Sequence, residues 1–483
     1  MKVKELFEGM QIRCASECPD VAERLEIERI VTFPEQACER TLYVACQTAI
    51  SNGRRGMEFA YARGCRAFLC ANDACPGKDA VVWITEDPEQ LLGALSAILY
   101  GHPARTMTVI GITGSTGKTA VTAQTVRVLR EAGKRVCALS SDGLDLLGEV
   151  TYPGAVVPDA AYIQQALAKM AACKSEIAVL ELSSYQLAHF AAESIPFTAV
   201  LLTNLSVRHV GNGEHATREA YYAAKLSLLR KPSAFCVVPV KQDIQTDARV
   251  LRVGANGDAW AENVHRDYSK RGEPTTRFFL CTKEEKCEIT LPVTGDIATE
   301  NALCTAMLCR VIGLEMSQIV KGLSCARVSG RLECLSSIQE RLIYLDAAFL
   351  PQDLECALQT LRPLTKGRLC VLFGCVGGRA KTRRTPFVQV AEHFADHLYL
   401  TADDPDFEDP LQICEELRDA MAEPMRATVV ADRRVAILRA VREMRRGDVL
   451  LILAKPYPKG QLIGGEYHPF DERQVVCDAL TEF

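Results

Sequence analysis

Short apolar, β-branched runs recur along the chain, separated by segments in which apolar residues return at helical spacing. Runs of this kind bounded by turn residues predict buried strands. Their alternation with helices predicts parallel sheets covered on both faces. In residues 1–104 the strand candidates are Thr41–Ala45, Arg66–Cys70 and Ala80–Ile84, which predict a small α/β domain. Tyr100-Gly101-His102-Pro103-Ala104 gathers breaker residues behind a helical run and reads as a linker. In residues 105–330 the candidates are Met107–Ile110, Val136–Leu139, Ile177–Leu182 and Ala199–Leu202, the rhythm of a parallel sheet. From 331 to 483 the rhythm restarts with Leu369–Phe373, His397–Leu400 and Val449–Leu453, predicting a Rossmann-like domain. The expected class is α/β, in three domains spanning 1–104, 105–330 and 331–483.

Composition narrows the function. The chain has 483 residues, 48% of them hydrophobic and 24% charged, which is ordinary for a globular protein with ample core. A net charge of −5 gives no basic footprint for nucleic acid. No stretch approaches the ~20 apolar residues of a membrane span, and Met1-Lys2-Val3-Lys4-Glu5 opens no apolar leader. The expected setting is the cytoplasm, as a monomer acting on small molecules. The 21 cysteines are scattered and form no paired Cys-x-x-Cys sets, which favours reduced, mostly buried thiols.

The chemistry concentrates in Gly111-Ile112-Thr113-Gly114-Ser115-Thr116-Gly117-Lys118-Thr119. A buried strand precedes it, and an amphipathic helix follows to Ala132, with Gly133 as its C-terminal stop. Strand, glycine loop and helix start make a phosphate site, because backbone N–H groups and the helix N-terminus both face an anion. Gly114, Ser115, Thr116 and Gly117 would cradle the phosphates of ATP, Lys118 would reach the β- and γ-phosphates, and the Thr119 hydroxyl would hold Mg²⁺. The strict Walker spacing wants glycine at 112, where this chain has isoleucine.

Polar residues end two further strands, where open α/β sheets bind ligands: Glu181 with Ser183-Ser184, and Thr203-Asn204. Glu181 at the end of an apolar strand needs a cation or a donor, and Mg²⁺ suits it. A structural, ion-paired glutamate is the alternative. Taken singly, His209 reads equally as a surface histidine, and Lys225 as a snorkelling lysine on an amphipathic helix.

Together these residues resemble the Mur ligase family, ATP-dependent enzymes that add amino acids to the UDP-N-acetylmuramoyl peptide of peptidoglycan. The branch resembled adds the third residue, a diamino acid. The resemblance runs from about Tyr100 to the C-terminus. It implies a first domain for the UDP end, a central P-loop parallel-sheet ATPase domain, and a C-terminal Rossmann-like domain for the incoming amino acid. It further implies catalytic roles for Lys118, Glu181, His209 and Lys225, with Thr119, Glu181 and His209 on Mg²⁺ and Lys225 carbamylated. Asn301, in Glu300-Asn301-Ala302, resembles the asparagine that meets adenine. Arg331, in Gly330-Arg331-Leu332-Glu333, resembles the hinge arginine that meets the phosphates, and Asp346 an aspartate that closes over the nucleotide. Ser183, Arg379, Asp403, Asp404 and Lys455 are the corresponding substrate candidates, with Lys381 and Arg384 on the same basic loop as Arg379.

Departures from the family cluster away from the nucleotide. Asp-His is Arg208-His209, and Thr-Thr-Pro is Val156-Val157-Pro158. The histidine of the Asp-Tyr-Ala-His-Thr-Pro stretch is Phe349, and Asp-Asn-Pro-Arg is Asp403-Asp404-Pro405-Asp406, without the arginine that pairs with a carboxylate. Gly-Lys-Gly-His-Glu is Ala454-Lys455-Pro456-Tyr457-Pro458, and the Asp-Ser-Arg of the first domain has no clear match near Val31-Thr32-Phe33-Pro34. Three readings stay open: the peptidoglycan ligase with a cationic donor such as lysine, a paralogous ligase with another acceptor, and a pseudo-ligase that binds ATP without turnover.

Overall fold

The structure is a computed structural model and describes all residues except 16–24, 47–52, 73, 153–156, 207–214, 270–272, 338–339, 379–380, 455–459 and 482–483. Only the backbone is described at 53, 54 and 296. The chain forms two compact units. One comprises 1–260 with 303–319, the other 261–302 with 320–483.

The first unit holds two sheets. Its N-terminal sheet has β1 (Arg13–Cys14), β2 (Arg29–Val31), β3 (Thr41–Val44), β4 (Ala67–Cys70) and β5 (Val81–Ile84), in the order β1-β5-β4-β3-β2. All pairs are parallel except β1 with β5. The strands β3 and β4 are buried on both faces, as uniform apolar runs require. Its core reaches Leu92 and Leu95 of helix α1 (Pro88–Leu99) and continues onto Ala160 and Ala161, which begin helix α3 (Ala160–Ala172).

The second sheet of this unit is built around β6 (Thr108–Thr113), which leads into helix α2 (Lys118–Glu131). Around it run β7 (Val136–Ser140), the hairpin β8–β9 (Gly143–Leu146, Glu149–Thr151), β10 (Ile177–Glu181), β11 (Ala199–Leu202), β12 (Phe235–Pro239) and β13 (Arg249–Val253). The order is β13-β12-β11-β6-β10-β7-β8-β9. Thus β10 and β11, consecutive in sequence, lie on opposite sides of β6, and both pair parallel with it. This reversal is the switch point where such sheets open a crevice beyond their carboxyl ends. Helices α4 (Ser184–Ala188) and α5 (Arg218–Leu229) follow β10 and β11.

Two differences from the sequence reading have physical reasons. The strand predicted at Met107–Ile110 runs on to Thr113, because Gly111 is paired with both Leu180 and Val200. Ile112 is buried in this strand, so the position that departs from Walker spacing lies in the sheet and not in the loop. The rhythm expected over 105–330 also ends before its C-terminal part: β15 (Pro274–Thr282) and β16 (Lys286–Leu291), which follow β14 (Ala259–Tyr268), pair antiparallel. In β16, Ile289 and Leu291 are buried while Lys286, Glu288 and Thr290 are exposed, the alternation of a sheet with one wet face.

The second unit carries a six-stranded sheet of β17 (Glu333–Ser336), β18 (Leu342–Asp346), β19 (Leu369–Phe373), β20 (His397–Leu400), β21 (Ala427–Val429) and β22 (Val449–Leu453). Its order is β17-β18-β22-β19-β20-β21, parallel except for the edge strand β17. Buried Arg433, opening helix α6 (Arg433–Arg442), donates to the carbonyls of Ala402 (3.1 Å) and Leu453 (2.6 Å). It also pairs with Glu472 at 3.0 Å, tying two strand ends to the last helix, α7 (Glu472–Thr481). Among the described residues no disulfide is present and no helix is long and apolar enough to cross a membrane.

Candidate active site

The loop between β6 and α2 needs two glycines. Gly114 has φ 149° and Gly117 φ 83°, and a Cβ on Gly114 would lie 1.9 Å from Thr203 Oγ1. The end of β11 therefore presses directly on the loop. Gly117 caps α2 without a side chain, whereas α1, α3, α4 and α5 have Asp87, Asp159, Ser183 and Thr217 accepting from their first-turn N–H groups. A helix start with no capping oxygen keeps its positive end for an anion.

The residues after β11 hold the loop in shape. Asn204 Oδ1 accepts from the Thr116 N–H (3.1 Å) and hydroxyl (3.0 Å), and its Nδ2 donates to the Thr116 carbonyl (3.1 Å). The Thr203 hydroxyl donates to the same carbonyl. Ser115 donates its N–H to the Asn204 carbonyl at 3.0 Å, and its hydroxyl is engaged by Ser206 and by Tyr221. Ser115 and Thr116, expected from sequence as phosphate contacts, are here turned inward as braces.

Both candidate lysines converge on one atom. Lys118 Nζ donates to the Gly114 carbonyl at 3.1 Å, and Lys225 Nζ to the same oxygen at 2.8 Å. Lys225, on α5, is 2% exposed and also lies over the Tyr221 ring, 4.6 Å from its centroid. His215 meets that ring edge-on at 5.4 Å and 74°. His215 is buried, its Nε2 has no hydrogen-bond partner among the described residues, and burial, followed by the Lys225 ammonium, holds its pKa below the ordinary histidine value.

Glu181, 7% exposed at the end of β10, accepts from the Thr119 hydroxyl (3.1 Å), the Ser141 hydroxyl (2.9 Å) and the Ser141 N–H (3.1 Å). A buried carboxylate joined to a hydroxyl beside a phosphate loop is the oxygen donor set a hard cation takes. Among the described residues no three His, Cys, Asp or Glu side chains converge as a metal cage. Mg²⁺ shared with a nucleotide does not need one, since phosphates and water fill most of its octahedron. His209 lies outside the described residues. Ser183 sits next to this end of the sheet but caps α4, accepting from the Gln186 N–H at 3.1 Å, and Gln186 Nε2 reaches on to the Pro158 carbonyl.

A second opening in this unit lies between β2 and the start of α3, lined by Arg29, Val31, Phe33, Val157, Pro158 and Tyr162. At its floor the Thr32 hydroxyl donates to Asp159, which also accepts from the Tyr162 N–H at 2.8 Å. Burial pushes the Asp159 carboxyl above the usual range against these donors. Nearby, His189 Nδ1 and Glu89 Oε1 pair at 2.9 Å, and that hydrogen bond raises the histidine pKa. None of these four residues was singled out from sequence. The available signal was Asp159 itself, one residue ahead of a helical apolar run.

In the second unit, Asp346 ends β18 and accepts from the N–H groups of Leu332 and Ala348, both at 2.8 Å. Burial raises its pKa, opposed by the Arg331 guanidinium. It thereby holds the Gly330–Glu333 turn, in which Leu332 takes φ 45° and Glu333 pairs with Arg473. Asn301 is buried on the helix Asp296–Val311. The acidic run is not a free cation trap: Asp404, 4% exposed, accepts the Leu462 N–H at 3.0 Å, and Asp406 accepts the Gly465 N–H at 2.8 Å. Asp403 contributes its carbonyl to Gln461. These contacts fasten the hairpin Gly460–Pro469. Arg384 and Lys381 both pair with Glu408, whose pKa falls far below the usual range. Arg379 and Lys455 lie outside the described residues.

The chain is similar to known proteins. The Mur ligase middle domain matches residues 112–309, and the Mur ligase, glutamate ligase domain matches 330–455. The UDP-N-acetylmuramoyl-L-alanyl-D-glutamate–2,6-diaminopimelate ligase of Aquifex aeolicus is 30% identical over 406 residues, covering 83% of each chain. The ligase of the same name from Rhizobium meliloti is 29% identical over 496 residues, 99% of each. A solved structure of a ligase of that name superposes with a TM-score of 0.66 at 22% identity, over 100% of this chain and 99% of the other.

Proposed function

The chain belongs to the Mur ligase family, and from that premise we propose that it is an ATP-dependent carbon–nitrogen ligase of the third-residue-adding branch. Its acceptor is the carboxylate of a UDP-N-acetylmuramoyl-dipeptide and its donor an amino acid. The observation that carries this reading is the convergence of Lys118, Lys225 and the Thr119–Glu181 pair at the switch point of one sheet.

The residues suit acyl phosphate chemistry. The acceptor carboxylate attacks the γ-phosphorus of ATP, ADP leaves, and the donor amine then displaces phosphate from the acyl carbon. Lys118 need only swing from the Gly114 carbonyl to meet the phosphate oxygens, neutralising charge as it moves to the leaving group. With Ser115 and Thr116 acting as braces, Gly117, Lys118 and Thr119 remain as the phosphate contacts. Thr119 and Glu181, with His209 by resemblance, would hold Mg²⁺, which would supply charge neutralisation at the nucleotide phosphates. By resemblance Lys225 would be carbamylated, a form that keeps one N–H on Nζ for the Gly114 carbonyl. The resemblance assigns Asn301 to adenine and Arg331 and Asp346 to nucleotide closure. The same reading places the protein in the cytoplasm as a monomer, with domains near 1–104, 105–330 and 331–483.

A second reading, the same chemistry on another acceptor, is favoured by one observation. Val157, in place of one of the paired hydroxyls, lines the opening above Asp159. Phosphate release from ATP·Mg²⁺, with UDP-N-acetylmuramoyl-dipeptide and a panel of amino acids, separates the readings. Acceptor-dependent release that Lys118→Ala reduces about a thousandfold is expected. Release with no dependence on this acceptor, alongside ATP binding, would transfer the case to the second reading. Absence of ATP binding would defeat both.

A further inference from the structure

We propose that Tyr221 is a positioning residue that ties Lys225 to the phosphate loop, so that both hold their working places together. The inference rests on the nucleotide reading above. Tyr221 lies four residues before Lys225, on the same face of α5, and is fully buried. Its two ends do different things.

The hydroxyl donates to Ser115 Oγ at 2.9 Å. That oxygen also accepts from the Ser206 N–H and donates to the Ser206 carbonyl, both at 2.9 Å. One donor and two acceptor positions are all a serine hydroxyl has, so Tyr221 completes this junction. The ring meanwhile lays its face against Lys225 Nζ, 4.6 Å from the centroid, while the same nitrogen donates to the Gly114 carbonyl. His215 packs edge-on against the ring and fixes its tilt. A core filler at this point would need no hydroxyl, because a buried phenol is costly unless its O–H finds a partner. Here the partner is the loop itself, one residue from the carbonyl that Lys225 grips.

Two substitutions in the full-length protein separate the two ends. Tyr221→Phe removes only the hydroxyl. It is expected to weaken ATP·Mg²⁺ binding, measured by titration calorimetry, about three- to tenfold, the worth of one hydrogen bond. Its kcat for phosphate release should stay near wild type, since the ring still places Lys225. Tyr221→Leu removes the ring as well and is expected to lower kcat about a hundredfold, as misplacement near the reacting atoms does. Recovery of kcat but not of affinity on going from leucine to phenylalanine is the signature. Two variants that differ from wild type only in thermal midpoint would overturn the proposal. Should Tyr221→Leu not fold, Ser115→Ala deletes the same hydrogen bond from the other side. The double variant Tyr221→Phe/Ser115→Ala should then bind ATP·Mg²⁺ no more weakly than the weaker single, and additive losses would overturn the tie. Wild-type protein that binds no ATP·Mg²⁺ would instead defeat the nucleotide reading, and this inference with it.

Discussion

Gly114 offers one carbonyl to two ammonium groups, and its oxygen has a lone pair for each. Of the two, Lys118 brings positive charge to the loop, where a nucleotide phosphate would relieve it. Asp159 shows the opposite condition, a buried carboxyl whose hydrogen-bond partners among the described residues include no cation. Burial raises its pKa, so the folded protein binds a proton more tightly there than the unfolded chain does, whose value is about 3.9. Stability from this site is therefore lost as pH rises from about 4 through the folded pKa. Asp159→Asn keeps an acceptor for the Tyr162 N–H and removes the charge. Its thermal midpoint should fall less than that of wild type between about pH 4 and about pH 7.

The helices α1 and α4 meet through Glu89 and His189, and their pairing carries its own pH signature. The glutamate raises the histidine pKa, so the pair stabilises fully below the unfolded value of about 6.5 and is lost as pH rises through the folded one. Glu89→Gln should flatten the fall in thermal midpoint between about pH 6 and about pH 9, measured against wild type. In the second unit, Arg433→Ala would strand Glu472 and two strand-end carbonyls. A loss of about 3–5 kcal/mol is expected, read from denaturant unfolding, and Arg433→Met with Glu472→Gln should recover part of it. Elements like these show what the chain makes legible. Uniform apolar runs such as Ala199–Leu202, Leu369–Phe373 and Val449–Leu453 are strands with the expected limits, because full burial leaves no period to misread. The strands from 259 to 291 escaped, since β14 is exposed along most of its length and β15 buries Thr275 and Thr276, which leaves no uniform apolar run. The glycine loop with Lys118 and the strand-end place of Glu181 stand out in local spacing, whereas Lys225 by itself reads as a snorkelling lysine and is named only by resemblance. The contact of Asp404 with Leu462 was not legible, because the partner lies 58 residues away and no local pattern announces it.

For the molecule as a whole, ATP·Mg²⁺ should act as a stabiliser of the folded state. At about 100 times its dissociation constant it is expected to add about 2.7 kcal/mol, seen as a raised thermal midpoint that Lys118→Ala abolishes. The loop that would receive it is continuous in sequence, yet its shape comes from far downstream. Asn204 acts on Thr116 across 88 positions, and Tyr221 on Ser115 across 106. A chain still emerging from the ribosome therefore carries the glycine motif long before it carries a nucleotide site. Fragments that stop short of β11 would display the signature and lack the braces, so the site is completed only when Tyr221 is made, 106 positions after Ser115.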